Sequence, residues 1–382
     1  MIYLDNAATT FPKPPMVIQA VSACMRKSCG NPGRGGHALS MAAAELVYRC
    51  RCAAASFFGL SKQENVIFTF NATHALNLVL CGVLHPGDSV LYSGLSHNSV
   101  RRPILYMERC GVRAQVYPVL KQGRLLSDAE ILSEIEKRMT PQTKLLAVTH
   151  LSNLCAAQEP LKQIGMLCHK RGVLLLVDAS QSAGVLPIHM EQDHIDYLCC
   201  AGHKGLYGPQ GSGLLLIGPG APIPEPLFYG GSGVFSKDPQ MPPDLPERLE
   251  AGTLCVPAVA GLLCGISILQ GMGMSAVFAQ HKRIGAMLQE ILQTVPHVHL
   301  YLPQQRCLGT ALFAVEGQLP EQTAQRLDEA GVCVRAGLHC APLAHQGLGS
   351  ESVGGVRVSA GIFTAEWELE RFGEILKNIG AE

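Results

Sequence analysis

The chain has 382 residues, of which 47% are hydrophobic and only 16% charged, with 30 basic and 30 acidic side chains in balance. That length can carry two domains with their own cores, and the apolar composition excludes a disordered chain. Zero formal charge and the absence of a basic block argue against nucleic acid and point to a small uncharged or zwitterionic substrate.

Taken in order, apolar runs alternate with helix-length segments through the first two thirds of the chain. Residues 66–70, 89–92, 114–117, 145–149 and 173–178 read as strands buried on both faces, the pattern of a parallel sheet. Residues 128–139 and 161–170 read as helices between them, which predicts an α/β layer structure. The segment 219–246 is rich in Pro and Gly and reads as a long functional loop. A helical stretch follows from about Val256. From about His297 the pattern is α+β: strands at 310–315 and 332–335, a helix at 321–330 and a closing helix from Ala365. The expected division is a large α/β domain over residues 15–256. A smaller α+β domain would be built from residues 1–14 and 257–382.

The N-terminus, Met1-Ile2-Tyr3-Leu4-Asp5-Asn6, lacks the basic-then-apolar pattern of a signal peptide. No apolar run is long enough to span a bilayer. A cytoplasmic location with no membrane partner is expected. The fifteen cysteines sit singly or as one adjacent pair inside apolar runs, and no C-x-x-C pair occurs. They read as reduced thiols acting as small apolar side chains, and no metal site is expected. Cys340 is the exception, for reasons given below.

Two patterns carry chemistry. Asp178 ends the most apolar strand, where ligands bind in open α/β sheets. About 25 residues later comes His203-Lys204, followed by Gly205, Gly208, Gly211 and Gly213. A pyridoxal-phosphate enzyme needs an acid to pair with the ring nitrogen and a lysine to form the Schiff base. Glycines around the lysine allow close approach, and burial would lower its pKa. Asn71-Ala72-Thr73-His74 follows a strand and opens a helix, so Ala72 and Thr73 can offer a phosphate their N–H groups and a hydroxyl. The bland alternatives are a strand-end turn residue, a surface lysine and a plain helix N-cap.

Leu4-Asp5-Asn6-Ala7-Ala8-Thr9-Thr10, Asp178-Ala179-Ser180-Gln181, Gly202-His203-Lys204 and Glu250-Ala251-Gly252-Thr253 occur in this order across nearly the whole chain. Together they resemble the class V aminotransferase-fold enzymes, whose fold is the aspartate-aminotransferase-like type I pyridoxal-phosphate transferase fold. The resemblance is strongest to the cysteine desulfurases of the Suf type, with selenocysteine lyases nearby. It implies pyridoxal 5'-phosphate as cofactor and Lys204 as the Schiff-base lysine and acid/base. By the same comparison, Asp178 pairs with the ring nitrogen and Gln181 with the ring hydroxyl, and His97 stacks on the ring. Asn153 would lie near the hydroxyl and the substrate carboxylate. His203 adds a phosphate contact. Thr253 reaches the phosphate of a neighbouring subunit, which implies a homodimer. Ala201 departs from the pattern, since the family usually has a hydroxyl residue three positions before the lysine. One phosphate hydrogen bond is then missing or supplied otherwise, and cofactor binding weaker than usual is expected.

Val334-Arg335-Ala336-Gly337-Leu338-His339-Cys340-Ala341-Pro342 resembles the R-x-G-x-H-C-A loop whose cysteine attacks the substrate sulfur as a thiolate. Arg357 matches the arginine that holds the substrate α-carboxylate through its planar fork. The implied reaction takes sulfur from L-cysteine as a persulfide on Cys340, releases L-alanine and passes the sulfur to a thiol acceptor, which could be a protein. L-selenocysteine is the alternative substrate, for a selenocysteine lyase. An aminotransferase or C–S lyase would not need Cys340. A non-catalytic assembly partner would not need the full set of site residues.

Overall fold

The structure, a computed structural model, describes residues 1–33, 35–302 and 307–379. The strands in chain order are β1 (Ile2–Tyr3), β2 (Val66–Thr69), β3 (Ser89–Ser93), β4 (Arg113–Tyr117) and the short hairpin β5 (Leu120–Lys121) and β6 (Arg124–Leu125). Then come β7 (Thr143–Thr149), β8 (Leu174–Asp178), β9 (Tyr197–Ala201) and β10 (Gly213–Ile217). The last five are β11 (Val298–Leu300), β12 (Thr310–Val315), β13 (Val332–Cys333), β14 (Arg335–Gly337) and β15 (Gly355–Ser359). The helices used below are α1 (Pro15–Lys27), α2 (Ala38–Phe57), α3 (Ala72–Val83), α4 (Asn98–Arg109), α5 (Asp128–Arg138) and α6 (Leu161–Arg171). They continue with α7 (Val256–Met272), α8 (Met274–Thr294), α9 (Pro320–Glu329), α10 (Pro342–Leu348) and α11 (Glu366–Ile379).

A seven-stranded sheet in the order β2-β10-β9-β8-β7-β3-β4 forms the centre of the molecule. Its pairs from β9 to β4 are parallel, and β10 runs antiparallel to both β9 and β2. Residues on both faces of β2, β3, β9 and β10 are buried, which is why these segments read as unbroken apolar runs. The expected strands and helices of this region are present to within a residue or two at each end. The strands β9 and β10 were not expected. The adjacent pair Cys199-Cys200 lies within β9, and β10 is a short run flanked by glycines.

A second sheet, antiparallel in the order β11-β12-β15-β14, carries the C-terminal part. The single strand expected at 332–335 is two. β13 pairs in parallel with β1, while β14 turns away to join β15. The helical stretch from Val256 is also two helices, broken at Gly273, where φ is +79° and the chain takes a conformation open to glycine. Val259, Leu262, Ile266, Leu269 and Val277 pack into the core of the large sheet. Ile284, Leu288 and Leu292 join Ile2, Leu4, Phe313 and Phe372 in the core of the small one. Residues 257–277 therefore share the first core, and α8 passes from one core to the other.

Parallel strands β3, β7 and β8 all end toward the same edge of the large sheet. Ser93, Thr149 and Asp178 mark that edge. The candidate site is built there.

Candidate active site

A cleft lies at these strand ends. Of the residues expected to bind a cofactor, Ala72, Thr73, His97, Asn153, Asp178, Gln181, His203 and Lys204 line it. Residues far apart in sequence thus meet because β2, β3, β7, β8 and β9 each deliver a loop to one edge.

Lys204 sits in the turn after β9. Burial lowers its pKa to about 8, partly opposed by the Asp178 carboxylate. A substantial fraction of the amine is therefore neutral and nucleophilic near neutral pH. The backbone of this turn is held from the N-terminal segment. The carbonyl of His203 accepts from Thr9 Oγ1 (3.1 Å), Thr10 N (3.3 Å), Thr10 Oγ1 (3.2 Å) and Lys13 Nζ (2.5 Å). His203 Nδ1 lies 3.0 Å from Thr9 Oγ1, and burial keeps that ring neutral, with its pKa lowered to about 4.

Asp178 is buried at the end of β8, and its Oδ1 accepts from Ser180 N (3.0 Å) and Ser180 Oγ (2.5 Å). Gln181 Nε2 donates to the carbonyl of Ala7 (2.9 Å). His97 is the N-cap of α4; its Nδ1 accepts from Ser99 N at 3.0 Å, so the proton of the neutral ring belongs on Nε2. Burial lowers the His97 pKa, which favours the neutral ring.

At the far side of the cleft α3 starts after Asn71, whose side chain accepts from His74 N (2.9 Å). The N–H groups of Ala72 and Thr73 belong to the first turn of α3, where the helix itself supplies no acceptor. Ala201 lines this region, and the neighbouring Ser212 hydroxyl is spent on the carbonyl of Pro209 (2.5 Å). The hydroxyl missing at position 201 is therefore not replaced by Ser212.

Three expected residues do not line the cleft. Arg357, only 2% exposed, lies on β15 and is held by Asp5 Oδ1 (Nη2, 2.5 Å) and the carbonyl of Asn153 (Nη1, 3.1 Å). Its Nε is buried without a partner. Asn153 connects it to the cleft. Thr253 is exposed and lines a separate cavity with Phe70, His74, Phe228 and Gly211. Its segment is anchored by Glu250, which takes a bidentate ion pair from Arg51 (2.9 Å twice) and the N–H of Phe68 (2.7 Å). Cys340 is exposed, on the loop after β14. That loop is tied to the cleft twice: Asn153 Nδ2 donates to the carbonyl of His339 (2.9 Å), and the N–H of Asn98, next to His97, donates to the carbonyl of Cys340 (2.8 Å). His339 and Cys340 have φ of +51° and +54°, left-handed values that cost non-glycine residues roughly 1–2 kcal/mol each.

Sequence reasoning missed Asp5, the ion-pair partner of Arg357, although it lies in the first motif. It also missed Thr149, whose buried Oγ1 lines the cleft without a partner. Lys13 gave no signal in the sequence.

The residues fit pyridoxal phosphate. Asn153 Oδ1 and Thr149 Oγ1 are buried and unpaired at the cleft wall, Asp178 stands at a strand end, and a helix start offers free N–H groups. Such a set has donors and acceptors for a polar ring and its phosphate, together with a lysine of lowered pKa.

The aminotransferase class-V family model matches residues 2–372, and the chain belongs to that family. A probable cysteine desulfurase of Methanothermobacter thermautotrophicus is 32% identical over 99% of this chain and 94% of its own length. A probable cysteine desulfurase of Xylella fastidiosa is 32% identical over 97% and 89%. Among solved structures, the apo cysteine desulfurase of Thermococcus onnurineus superposes with a TM-score of 0.89 at 29% identity, covering 100% of this chain and 94% of that one.

Proposed function

We propose that the chain is a pyridoxal-phosphate-dependent cysteine desulfurase that takes sulfur from L-cysteine onto Cys340 and releases L-alanine. The observation that carries the reading is the double tie of the Cys340 loop to Asn153 and Asn98, which anchors the backbone beside an exposed thiol to the wall of the Lys204 cleft. When bound, the cofactor supplies an electron sink for the bonds at the substrate α-carbon. The residues that would hold it are Lys204, Asp178, Gln181, His97, Asn153, His203 and the start of α3.

Each protein group then has a defined task. Asp178 would pair its carboxylate with the ring nitrogen. His97, pinned by Ser99, would cover the ring and exclude water. Lys204, with its lowered pKa, takes and returns a proton at its Nζ. Asn153, at the cleft wall, would meet the substrate carboxylate, and Arg357 behind it would join in orienting that group on exchanging its Asp5 ion pair. The Cys340 thiolate attacks the substrate sulfur: an S–S bond forms as the Cβ–S bond breaks, and the carbon skeleton leaves as alanine after protonation. A thiol acceptor then removes the outer sulfur. Thr253, exposed and outside its own cleft, would complete the site of a second copy, so the working unit is a homodimer.

The test measures alanine and sulfide from L-cysteine, and alanine and selenide from L-selenocysteine, in wild type and Cys340→Ala. Loss of sulfide in the variant is expected. Unchanged sulfide release by Cys340→Ala would sink the reading. Selenide release that survives alone would assign a lyase.

A further inference from the structure

Behind Cys340 lies a run of side chains that the reaction above does not use. His339 and His345 are both buried, 4% and 0% exposed. Their rings are nearly parallel, 13° apart, with centroids separated by 5.6 Å. His339 Nδ1 faces His345 Nε2 at 3.4 Å. His339 Nε2 lies 3.1 Å from the carbonyl oxygen of Arg335, and His345 Nδ1 lies 2.8 Å from Ser350 Oγ.

Only one proton pattern satisfies neutral rings in this chain. A carbonyl can only accept, so His339 Nε2 carries the proton and His339 Nδ1 accepts. His345 Nε2–H is then the donor, His345 Nδ1 accepts, and the Ser350 hydroxyl donates. Burial holds both rings neutral, with pKa values lowered to about 3 and about 4. Both nitrogens of His339 are occupied, and neither remains to take the proton of Cys340.

The chain of bonds runs from Ser350, beyond α10, to Arg335 at the start of β14. It spans the turn that holds His339 and Cys340 in left-handed conformations. Such a turn persists only where its surroundings over-determine it. Asn153 and Asn98 fix its cleft side, and the histidine pair fixes its other side.

We propose that His345 and Ser350 are positioning residues for sulfur transfer: through His339 they hold the turn that presents Cys340 to the cleft, and His339 serves as a peg, not a base. The kinetic part of this inference rests on the desulfurase reading; the structural part does not.

The experiment compares holoenzyme carrying His345→Phe, His345→Gln or Ser350→Ala with wild type. Gln can donate to His339 and accept from Ser350; Phe keeps the ring and loses both bonds. In His345→Phe, kcat for alanine release should fall about tenfold to a hundredfold, the scale of a small misplacement of a reacting atom. KM for cysteine and the cofactor's visible band should stay within about twofold. Amide exchange of the segment from Arg335 to His345 should quicken by about tenfold or more. Ser350→Ala should show the same changes at smaller size, and His345→Gln should recover most of the loss. Unchanged kcat and exchange in His345→Phe overturn the proposal. So does a rise in KM alone, or a Gln variant as impaired as Phe. If His345→Phe loses the cofactor band through misfolding, Ser350→Ala supplies the same readings. If wild type releases no alanine from cysteine, the desulfurase reading fails, and the exchange data still decide whether the pair holds the turn.

Discussion

The two ends of the site are built in opposite ways. The Lys204 end rests on strand termini of the large sheet, where short local bonds hold the side chains of Asp178 (from Ser180) and His97 (from Ser99), and the N-terminal segment sends four donors to the backbone carbonyl of His203. The Cys340 end rests on the smaller sheet, in a loop with two successive left-handed residues and an exposed thiol. A cofactor that stays bound through many turnovers suits the first construction. A sulfur that must be collected inside and surrendered outside suits the second. The difference teaches that rigidity in this protein is allotted by task, and that the exposed end is fixed both by its own histidine pair and by bonds made to the buried one.

That contrast can be broken or sharpened. The largest effect is expected from Lys204→Ala, which should lose the cofactor's visible band and all but about a thousandth of alanine release, measured by spectrum and product assay. Cys340→Ala should keep the band and lose about a hundredfold in alanine release from cysteine. If both variants lost the band, the two ends would not be separable. A third check uses pH. Because burial brings Lys204 down to about 8, the rate at which apoprotein captures added pyridoxal phosphate should climb with pH and level off above about pH 8. An amine with an ordinary pKa would keep gaining beyond pH 10. The smallest effect concerns Ala201, buried against the cleft at the end of β9. Ala201→Ser adds a hydroxyl with little added volume and should tighten cofactor binding about threefold to tenfold, read from a dissociation constant, in line with the net worth of one ordinary hydrogen bond.

Much of the Lys204 end was legible in the sequence because strand ends and helix starts leave local signatures. Asp178 closes an apolar run, Asn71 to His74 opens a helix, and glycines follow Lys204. The Cys340 end was legible only by resemblance to a motif, since one cysteine among fifteen has no signature of its own. What stayed hidden depends on contacts between distant segments. Asp5 meets Arg357 across 352 positions, and His345 reaches His339 only because α10 folds back over the loop. The strand β10 escaped notice because it runs against its neighbours, which an alternation of strands and helices does not announce. The split of 332–335 between two sheets follows from partners, β1 and β15, that lie hundreds of residues apart.

The first fifteen residues carry a further consequence. β1 pairs with β13 just ahead of the Cys340 loop, Asp5 grips Arg357, and Thr9, Thr10 and Lys13 converge on the turn of Lys204. One short ribbon of chain therefore works as a tie-rod between the lysine and the cysteine ends, and slack in it would be felt at both. Its trypsin target, Lys13, and the chymotrypsin target Phe11 are each followed by a proline, at positions 14 and 12, and its other aromatic, Tyr3, is half-buried in β1. The strap that couples the two halves of the site is thus also shielded, by its own sequence, from being cut.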